Sequence, residues 1–485
     1  SQLTTISGHI LSLRRQKHIA FLHLSDGTSP HPLQVVLPPA LSDGLNTGAS
    51  VRLRGRLVKS TGKGQAVEFL VGQGEGEGTY PLQNKQIRPE TLRENLHLRA
   101  RQPRFAALLR LRHHLARETH AWFEENGFWN VTTPVLTSSD CEGAGEVFAV
   151  QPGCADPTSP AGQPAAPPPP PPAAKPHSIL HTRDFFHTPA YLTVSSQLQL
   201  ESLAPALARV YTLAPAFRAE PSLTHRHLAE FGMLEAEVGW LDPLDPGAHG
   251  DGALGTVMDV VEASVRRLLQ SVLAPPLEAD LRLLRPPASL PALQAAASQP
   301  WKRITYTRAV LLLQEAQASA APATTVPGEG QQAPEQKLFA YDPAWGKALQ
   351  SEHEKWLAAR LGPVFVTHYP ALLKPFYMRA TAPGREGAVQ EGRAGLEGTG
   401  TVECFDLVVP GIGELAGGSL REDRLPLLLA SLAAHGLSEE EYGWYVDLRR
   451  YGGVPTGGYG LGWERLVSWV TGIENVRDVV PFPRW

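Results

Sequence analysis

The sequence predicts an α+β protein, with a small all-β barrel at the N-terminus and a larger body of strands and helices behind it. Three observations carry this. Residues 3 to 74 read as five short strands with Gly and Asp at the turns. A long amphipathic helix then runs over Pro103–Asn126. Val210–Glu237, VYTLAPAFRAEPSLTHRHLAEFGMLEAE, reads as strand, polar loop and strand, with charge gathered at the loop.

The N-terminal strands are His9–Leu13, Ile19–Leu24, Leu33–Leu37, Ser50–Lys59 and Ala66–Val71. Apolar and charged residues alternate in Val51-Arg-Leu-Arg-Gly-Arg-Leu-Val58, the period of a half-buried strand. Five such strands without a long helix fit a closed barrel of the OB type. GQGEGEG at 72–78 reads as a flexible exit. Residues 1 to 110 hold 15 Lys and Arg against 7 Asp and Glu, a local charge of +8 in a chain of net −4. The remainder is therefore −12. A basic module on an acidic body is expected to meet a polyanion; a solvated strand face is the plain alternative.

In the following helix, Pro103 suits the first turn, Leu108, Leu111, Leu115, Trp122 and Phe123 share a face, and Gly127 stops it. A strand at Trp129–Val131 and Pro134 come next. Residues 152–177, which include six consecutive prolines, 318–335 and 383–400 lack the apolar content to pack and read as insertions in loops. Arg424–Ala434 is predicted helical. Ser438-Glu-Glu-Glu441 carries the pattern that caps another helix. The last block, Tyr451-GGVPTGGYGLGWERLVSWV, leads from a Gly-rich turn into strand and then helix.

At 485 residues the chain has room for two or three domains. Cys141, Cys154 and Cys404 are far apart with no C-x-x-C spacing, which argues against a disulfide framework and a Cys-type zinc site and fits a reducing compartment. No apolar run reaches the roughly 20 residues that a membrane helix needs, so no membrane partner is expected. The chain begins at Ser1, without an initiator Met, so its N-terminus says little about destination.

Three stretches carry chemistry. In 210–237, the planar fork of Arg218 suits an α-phosphate and a substrate carboxylate together, and the Phe231 ring suits adenine. A hairpin with a solvated charged turn accounts for the same residues. In Gly457-Gly-Tyr-Gly-Leu-Gly-Trp-Glu-Arg465, glycines allow close approach of backbone to a ligand, and Arg465 lies in the first turn of the next helix; a tight packing turn is the alternative. In Cys404-FDLVVPGIGELAGGSLRED423, Asp406 and Glu414 flank an apolar strand. They suggest a Mg²⁺ ion held by a few oxygens, against two structural strand-end acids.

Together and in this order, the blocks resemble the motifs of class II aminoacyl-tRNA synthetases. FRAE at 217–220 with RHLAEF at 226–231 resembles motif 2, GLGWER at 460–465 resembles motif 3, and GFWNVTTPVLT at 127–137 resembles the motif 1 segment of the dimer interface. SDCEGAGE at 139–146 and LTVSSQLQLE at 192–201 resemble the substrate loops of subclass IIb. Within that subclass, VPGIGELAGGSLRED at 409–423, DLRRYGGVP at 447–455 and RDVVPFPR at 477–484 look most like the asparaginyl-tRNA synthetase family. RQKHIAFLHL at 15–24, SEHEKWL at 351–357 and KPFYMR at 374–379 look closer to its mitochondrial than to its cytosolic members.

The resemblance implies an antiparallel class II catalytic sheet flanked by helices at 101–485, an OB-type anticodon-binding domain at 1–74 and a hinge at 75–100. It implies a homodimer in the mitochondrial matrix, with the cytoplasm as the alternative. ATP, L-asparagine and tRNA(Asn) are the implied substrates, with Mg²⁺. Glu142, Ser195 and Gln197 would hold the α-amino end of asparagine, and Glu235 and Arg421 its amide. Leu200 stands where the aspartyl enzymes carry a Lys, which suits a neutral side chain. Arg218 would bridge the substrate carboxylate and the α-phosphate, Glu220 and Phe231 would fix adenine, Arg226 and Arg465 the outer phosphates, and Asp406 and Glu414 the Mg²⁺. Phe21 resembles the aromatic that stacks on an anticodon base, and Gln34 a base-edge reader. The chain departs from the family pattern at Ser196, usually Gly, at Thr456, commonly His, and at Pro221, usually Asn or Asp. A nondiscriminating aspartyl-tRNA synthetase, a noncatalytic RNA-binding paralogue and an ammonia-using asparagine synthetase are the other readings.

Overall fold

A computed structural model describes residues 3–60, 62, 65–77, 80–83, 87–138, 147–150, 189–220, 224–242, 251–320, 337–382 and 400–484. The chain divides into two compact units. The first comprises Ser1–Trp122, Ala263–Pro300 and Val467–Pro483, and the second Phe123–Glu262, Trp301–Leu466 and Arg484–Trp485. Several helices pass from one unit into the other.

The first unit opens with strands β1 (Thr4–Arg15), β2 (Ala20–Ser25), β3 (Leu33–Leu37), β4 (Ser50–Lys59) and β5 (Val67–Glu77). They close into a barrel in the order β1-β2-β3-β5-β4, as the short-strand pattern predicts. Strand alternation builds its core: Ile10, Leu22, Leu24, Val35, Leu37, Val51, Leu53 and Phe69 point inward and are buried. Arg52, Arg54 and Arg56 occupy the opposite face of β4 and are exposed. The expected flexible exit at 72–78 is instead strand as far as Glu77, where Ser50 still pairs with it. Backbone pairing to β4 overrides the poor strand propensity of the glycines there. Short helices α1 (Pro89–Glu94) and α2 (Leu96–Arg99) lead to α3 (Pro103–Glu125), one residue shorter than predicted. Arg93 forms a two-pronged bond to Asp478, and buried Arg99 donates to the carbonyls of Val480 and Pro481, so the C-terminal segment is fixed to this unit.

The second unit is built on β6 (Trp129–Asn130), β7 (Leu136–Thr137), β8 (Tyr191–Leu192), α4 (Gln197–Leu207), β9 (Arg209–Phe217), β10 (Glu230–Gly239) and α5 (Gly252–Leu273). Helices α6 (Glu278–Leu284) and α7 (Leu290–Ser298) belong to the first unit. The second resumes with β11 (Lys302–Thr305), α8 (Tyr306–Ala320), α9 (Ser351–Leu361), β12 (Val364–Thr367), β13 (Cys404–Val409) and β14 (Gly413–Leu420). It ends with α10 (Leu425–Ala434), α11 (Glu439–Arg450), β15 (Thr456–Gly462) and α12 (Trp463–Thr471). Ser438 caps α11 by accepting from Glu441 N, as its pattern predicts.

Eight strands form one sheet in the order β11-β12-β13-β14-β15-β10-β9-β6. The six strands β12 to β9 in that order pair antiparallel, and the two edge pairs are parallel. Central strands are buried on both faces, which explains apolar runs such as Val364-Phe-Val-Thr367. The three chemistry-bearing stretches lie on β9–β10, β13–β14 and β15–α12, so topology makes neighbours of segments far apart in sequence. The three low-complexity stretches, apart from residues 318–320 and 400, fall outside the described residues.

Candidate active site

The β9–β10 hairpin sets out the first group. Arg218 N donates to Ala229 O at 3.0 Å, closing the hairpin beyond its last ladder pair, Phe217 with Glu230. The Arg218 guanidinium carbon lies 5.7 Å from the centre of the Phe231 ring, and its Nη1 is 3.8 Å from Glu220. A cation, an aromatic ring and a carboxylate are thus gathered at the open end of one hairpin. Across the loop, Arg226 donates to Ser351 Oγ at 2.6 Å and to Glu354 Oε2 at 3.3 Å, both on α9.

Odd positions of β10 share one sheet face, so Phe231, Met233, Glu235 and Glu237 line up at two-residue intervals. Glu235 is buried; it accepts from Ser195 Oγ and, at 2.8 Å, from Ser196 N. Burial pushes its carboxyl above the ordinary range, and these two bonds and the Arg218 charge partly offset that. Glu237 is held differently. It receives both Nε and Nη2 of Arg421, at 3.0 and 2.8 Å, and Arg421 Nη1 donates to Ser419 Oγ at 2.8 Å. Gln197 opens α4, and its amide donates to Glu201, one turn on, at 3.0 Å. Ser195, Gln197, Glu235 and Arg421 therefore come together on adjacent elements of one unit.

Gly458 explains part of the glycine run. A Cβ there would lie 1.9 Å from Glu237 Oε2 and 2.3 Å from Ala236 O, so only glycine lets β15 approach β10. At this position the demand is packing against the protein itself, the alternative that the sequence left open. Arg465 sits in the first turn of α12, as expected. It donates to Glu414 O at 3.0 Å and lies 3.5 Å from the Glu414 carboxylate.

Asp406 and Glu414 lie on paired strands β13 and β14 rather than at two ends of one strand. A Cβ at Gly417 would touch both, 3.4 Å from Asp406 Oδ1 and 3.4 Å from Glu414 Oε1. The two carboxylates thus converge across a gap that glycine keeps open. Burial pushes Glu414 up, but Arg465, Lys374, Arg218 and Arg226 outweigh it and hold the carboxyl below its ordinary value. Four cationic side chains thus act on one carboxylate. Asp406 is engaged by Lys374, whose Nζ is 2.7 Å from each of its oxygens. Among the described residues no group of three or more His, Cys, Asp or Glu could hold a metal alone. Glu414 could offer an oxygen to Mg²⁺, an ion usually held by one or two carboxylates with phosphate oxygens and water, and Asp406 would join it only by sharing oxygens already bonded to Lys374.

Residues 88–158 and 169–485 match the family described as tRNA synthetases class II (D, K and N), and residues 4–77 match the OB-fold nucleic acid binding domain. A Nostoc sp. protein named asparagine–tRNA ligase is 39% identical over 496 residues, covering 99% of this chain and 94% of its own length. The Mus musculus protein named asparaginyl-tRNA synthetase is 38% identical, covering 100% of this chain and 90% of its own.

The chain belongs to the asparagine–tRNA ligase family. Among solved structures, the asparaginyl-tRNA synthetase of Pyrococcus horikoshii complexed with asparaginyl-adenylate superposes with a TM-score of 0.78 at 27% identity, covering 100% of this chain and 95% of that one. The Entamoeba histolytica asparaginyl-tRNA synthetase gives 0.76 at 26% identity.

Against the expectations for this family, several residues stand out. Glu142 lies outside the described residues, as does Pro221. Leu200 packs among apolar neighbours, Ala204, Val210 and Val131. The motifs give no role to Glu201, Glu237, Glu354 or Lys374, yet these contact Gln197, Arg421, Arg226 and Asp406 in turn. Glu237 follows Glu235 by two positions, and Glu201 follows Gln197 by four, so strand and helix periods were the available signals. In the barrel, Phe21 is absent from the buried core and shares the outer face of β2 with His23, which pairs with Gln34. The Gln34 amide donates to Glu68 at 3.2 Å.

Proposed function

We propose that this protein activates L-asparagine with ATP and transfers it to the 3′ end of tRNA(Asn). The observation that carries this reading is the pairing, on one sheet, of the Arg218–Phe231–Arg465 group with the Ser195–Glu235–Arg421 group. The first suits a nucleotide and the second a small amide-bearing amino acid.

In the first step the asparagine carboxylate attacks the ATP α-phosphorus, the bond to the bridging oxygen breaks, and pyrophosphate leaves. No side chain need gain or lose a proton. The protein's work is to align the carboxylate and stabilise the charge of an in-line displacement. Arg218 would hold carboxylate and α-phosphate together, with Glu220 and Phe231 on the adenine and Arg226 and Arg465 on the outer phosphates. Glu235 and Arg421 would accept from and donate to the side-chain amide, while Ser195, Gln197 and Glu142 hold the α-amino end. Asp406 and Glu414 would hold Mg²⁺, which neutralises phosphate charge when bound. In the second step a 3′-terminal ribose hydroxyl attacks the adenylate carbonyl, the acyl–phosphate bond breaks, the hydroxyl proton passes to a phosphate oxygen and AMP leaves. Phe21 and Gln34 would stack on and read anticodon bases.

The reading extends to a homodimer. Trp129 and Leu136, on the segment resembling motif 1, are 62% and 42% exposed, which an interface between two copies would cover. It extends also to the mitochondrial matrix, on the strength of the 15–24, 351–357 and 374–379 segments; cell fractionation tests this. No helix among the described residues is long and apolar enough to cross a membrane. The function is tested by ATP–pyrophosphate exchange. Exchange that requires asparagine and ignores aspartate is expected; equal exchange with aspartate would favour a nondiscriminating aspartyl enzyme.

A further inference from the structure

We propose that Glu201 sets the net charge of the asparagine pocket and through it the preference for an amide over an acid. This rests on the reading of the protein as an asparagine–tRNA ligase. Glu201 lies on α4, and its side chain is 1% exposed. It accepts from Gln197 Nε2 at 3.0 Å, from Tyr445 Oη at 2.6 Å and from Arg449 Nη2 at 3.0 Å, and it lies 3.6 Å from Arg421 Nε. One carboxylate thus touches two residues predicted to hold asparagine, Gln197 and Arg421, and a second arginine besides.

The charge count decides what the pocket admits. Arg421 and Arg449 face Glu201 and Glu237, all four nearly or wholly buried, so the cluster is neutral. A guanidinium has five N–H donors. Arg421 uses two on Glu237 and one on Ser419, which leaves two to offer. It can therefore donate a hydrogen bond to an amide oxygen, yet its charge is already balanced. An aspartate side chain would bring an anion that nothing in the cluster neutralises. It would also stand near Glu235, two residues before Glu237 on the same face of β10. Leu200 supplies no compensating cation, being packed among Ala204, Val210 and Val131. Removing the Glu201 charge leaves one guanidinium unmatched, and a substrate carboxylate is then the group that matches it.

The test is kcat/KM for asparagine and for aspartate in ATP–pyrophosphate exchange, with wild type, Glu201→Gln and Arg449→Gln, and thermal unfolding to check that each folds. Glu201→Gln is expected to lower the asparagine-to-aspartate ratio by about 10- to 100-fold, the size of one unbalanced charge in a partly screened interior. Arg449→Gln shifts the balance the other way and is expected to raise the ratio. If both variants lower the two substrates in equal proportion, the proposal is overturned and the wild-type preference for asparagine still stands. A wild type that does not use asparagine removes the functional reading itself, and the proposal with it.

Discussion

Arg421 and Glu237 are locked together inside the second unit, with Nε and Nη2 of the arginine donating to the two carboxylate oxygens at 3.0 and 2.8 Å. Two parallel bonds fix the plane of the guanidinium as well as its position. Its remaining donors are thereby aimed before any substrate arrives. Glu237→Gln keeps the volume and loses this alignment. It is expected to raise KM for asparagine more than it lowers kcat, with kcat/KM down roughly 10²-fold or more. Removing one partner of a buried pair costs about 3–5 kcal/mol, so a lowered Tm should accompany it. Steady-state exchange and thermal unfolding read both.

Gly458→Ala attacks the same pair from the other side. Its Cβ would fall on the Glu237 carboxylate and on Ala236 O, and backbone cannot yield cheaply. We expect a loss of about 1–3 kcal/mol in stability, typical of overpacking, together with the asparagine KM defect of Glu237→Gln. Unfolding curves with unchanged asparagine KM would show that β15 shifts without disturbing the pair.

Phe21→Ala tests the barrel separately. A stacked base is worth roughly 1–3 kcal/mol, so KM for tRNA should rise by about 5- to 150-fold. Exchange without tRNA should keep its wild-type rate. The comparison of the two assays separates anticodon binding from activation.

Acid should weaken the fold through its half-buried imidazoles. Burial lowers the pKa of His368 below its ordinary 6.5, the Asp251 charge offsetting only part of this, and His9 and His114 are shifted the same way by burial first. As pH falls through 6.5, the unfolded chain takes up protons that the folded chain does not. Stability is therefore fully present above that value and lost as pH drops through the folded values. The share of Tm that these imidazoles carry should fall between pH 7.5 and 5.5, against the opposite trend of buried Glu237, whose carboxyl burial pushes up to about 7. His368→Asn, suited to the positive φ of 57° at this site, should flatten that slope.

Where periodicity was strong, the sequence was legible. Val51-Arg-Leu-Arg announced the barrel strand, and Ser438 its helix cap, because both are local demands of backbone and solvent. The glycines at 72–78 misled, since tertiary pairing to β4, invisible locally, made a strand of a weak strand former. Arg218, Phe231, Glu235 and Arg465 were found because they cluster in short motifs. Arg449 and Tyr445 were not, because their cluster with Glu201 is assembled from α4 and α11, about 250 residues apart, and for Glu201 the helix period from Gln197 is the one local signal. Lys374 on Asp406 is hidden for the same reason.

The most direct measurement is aminoacylation of tRNA(Asn) by the purified protein with asparagine or aspartate as the amino acid. The account predicts asparaginyl-tRNA, with aspartate poorer in kcat/KM by roughly 10²-fold or more, as expected of a site whose polar groups are matched to an amide. Aspartyl-tRNA formed as fast as asparaginyl-tRNA, or no charging with either, would contradict it.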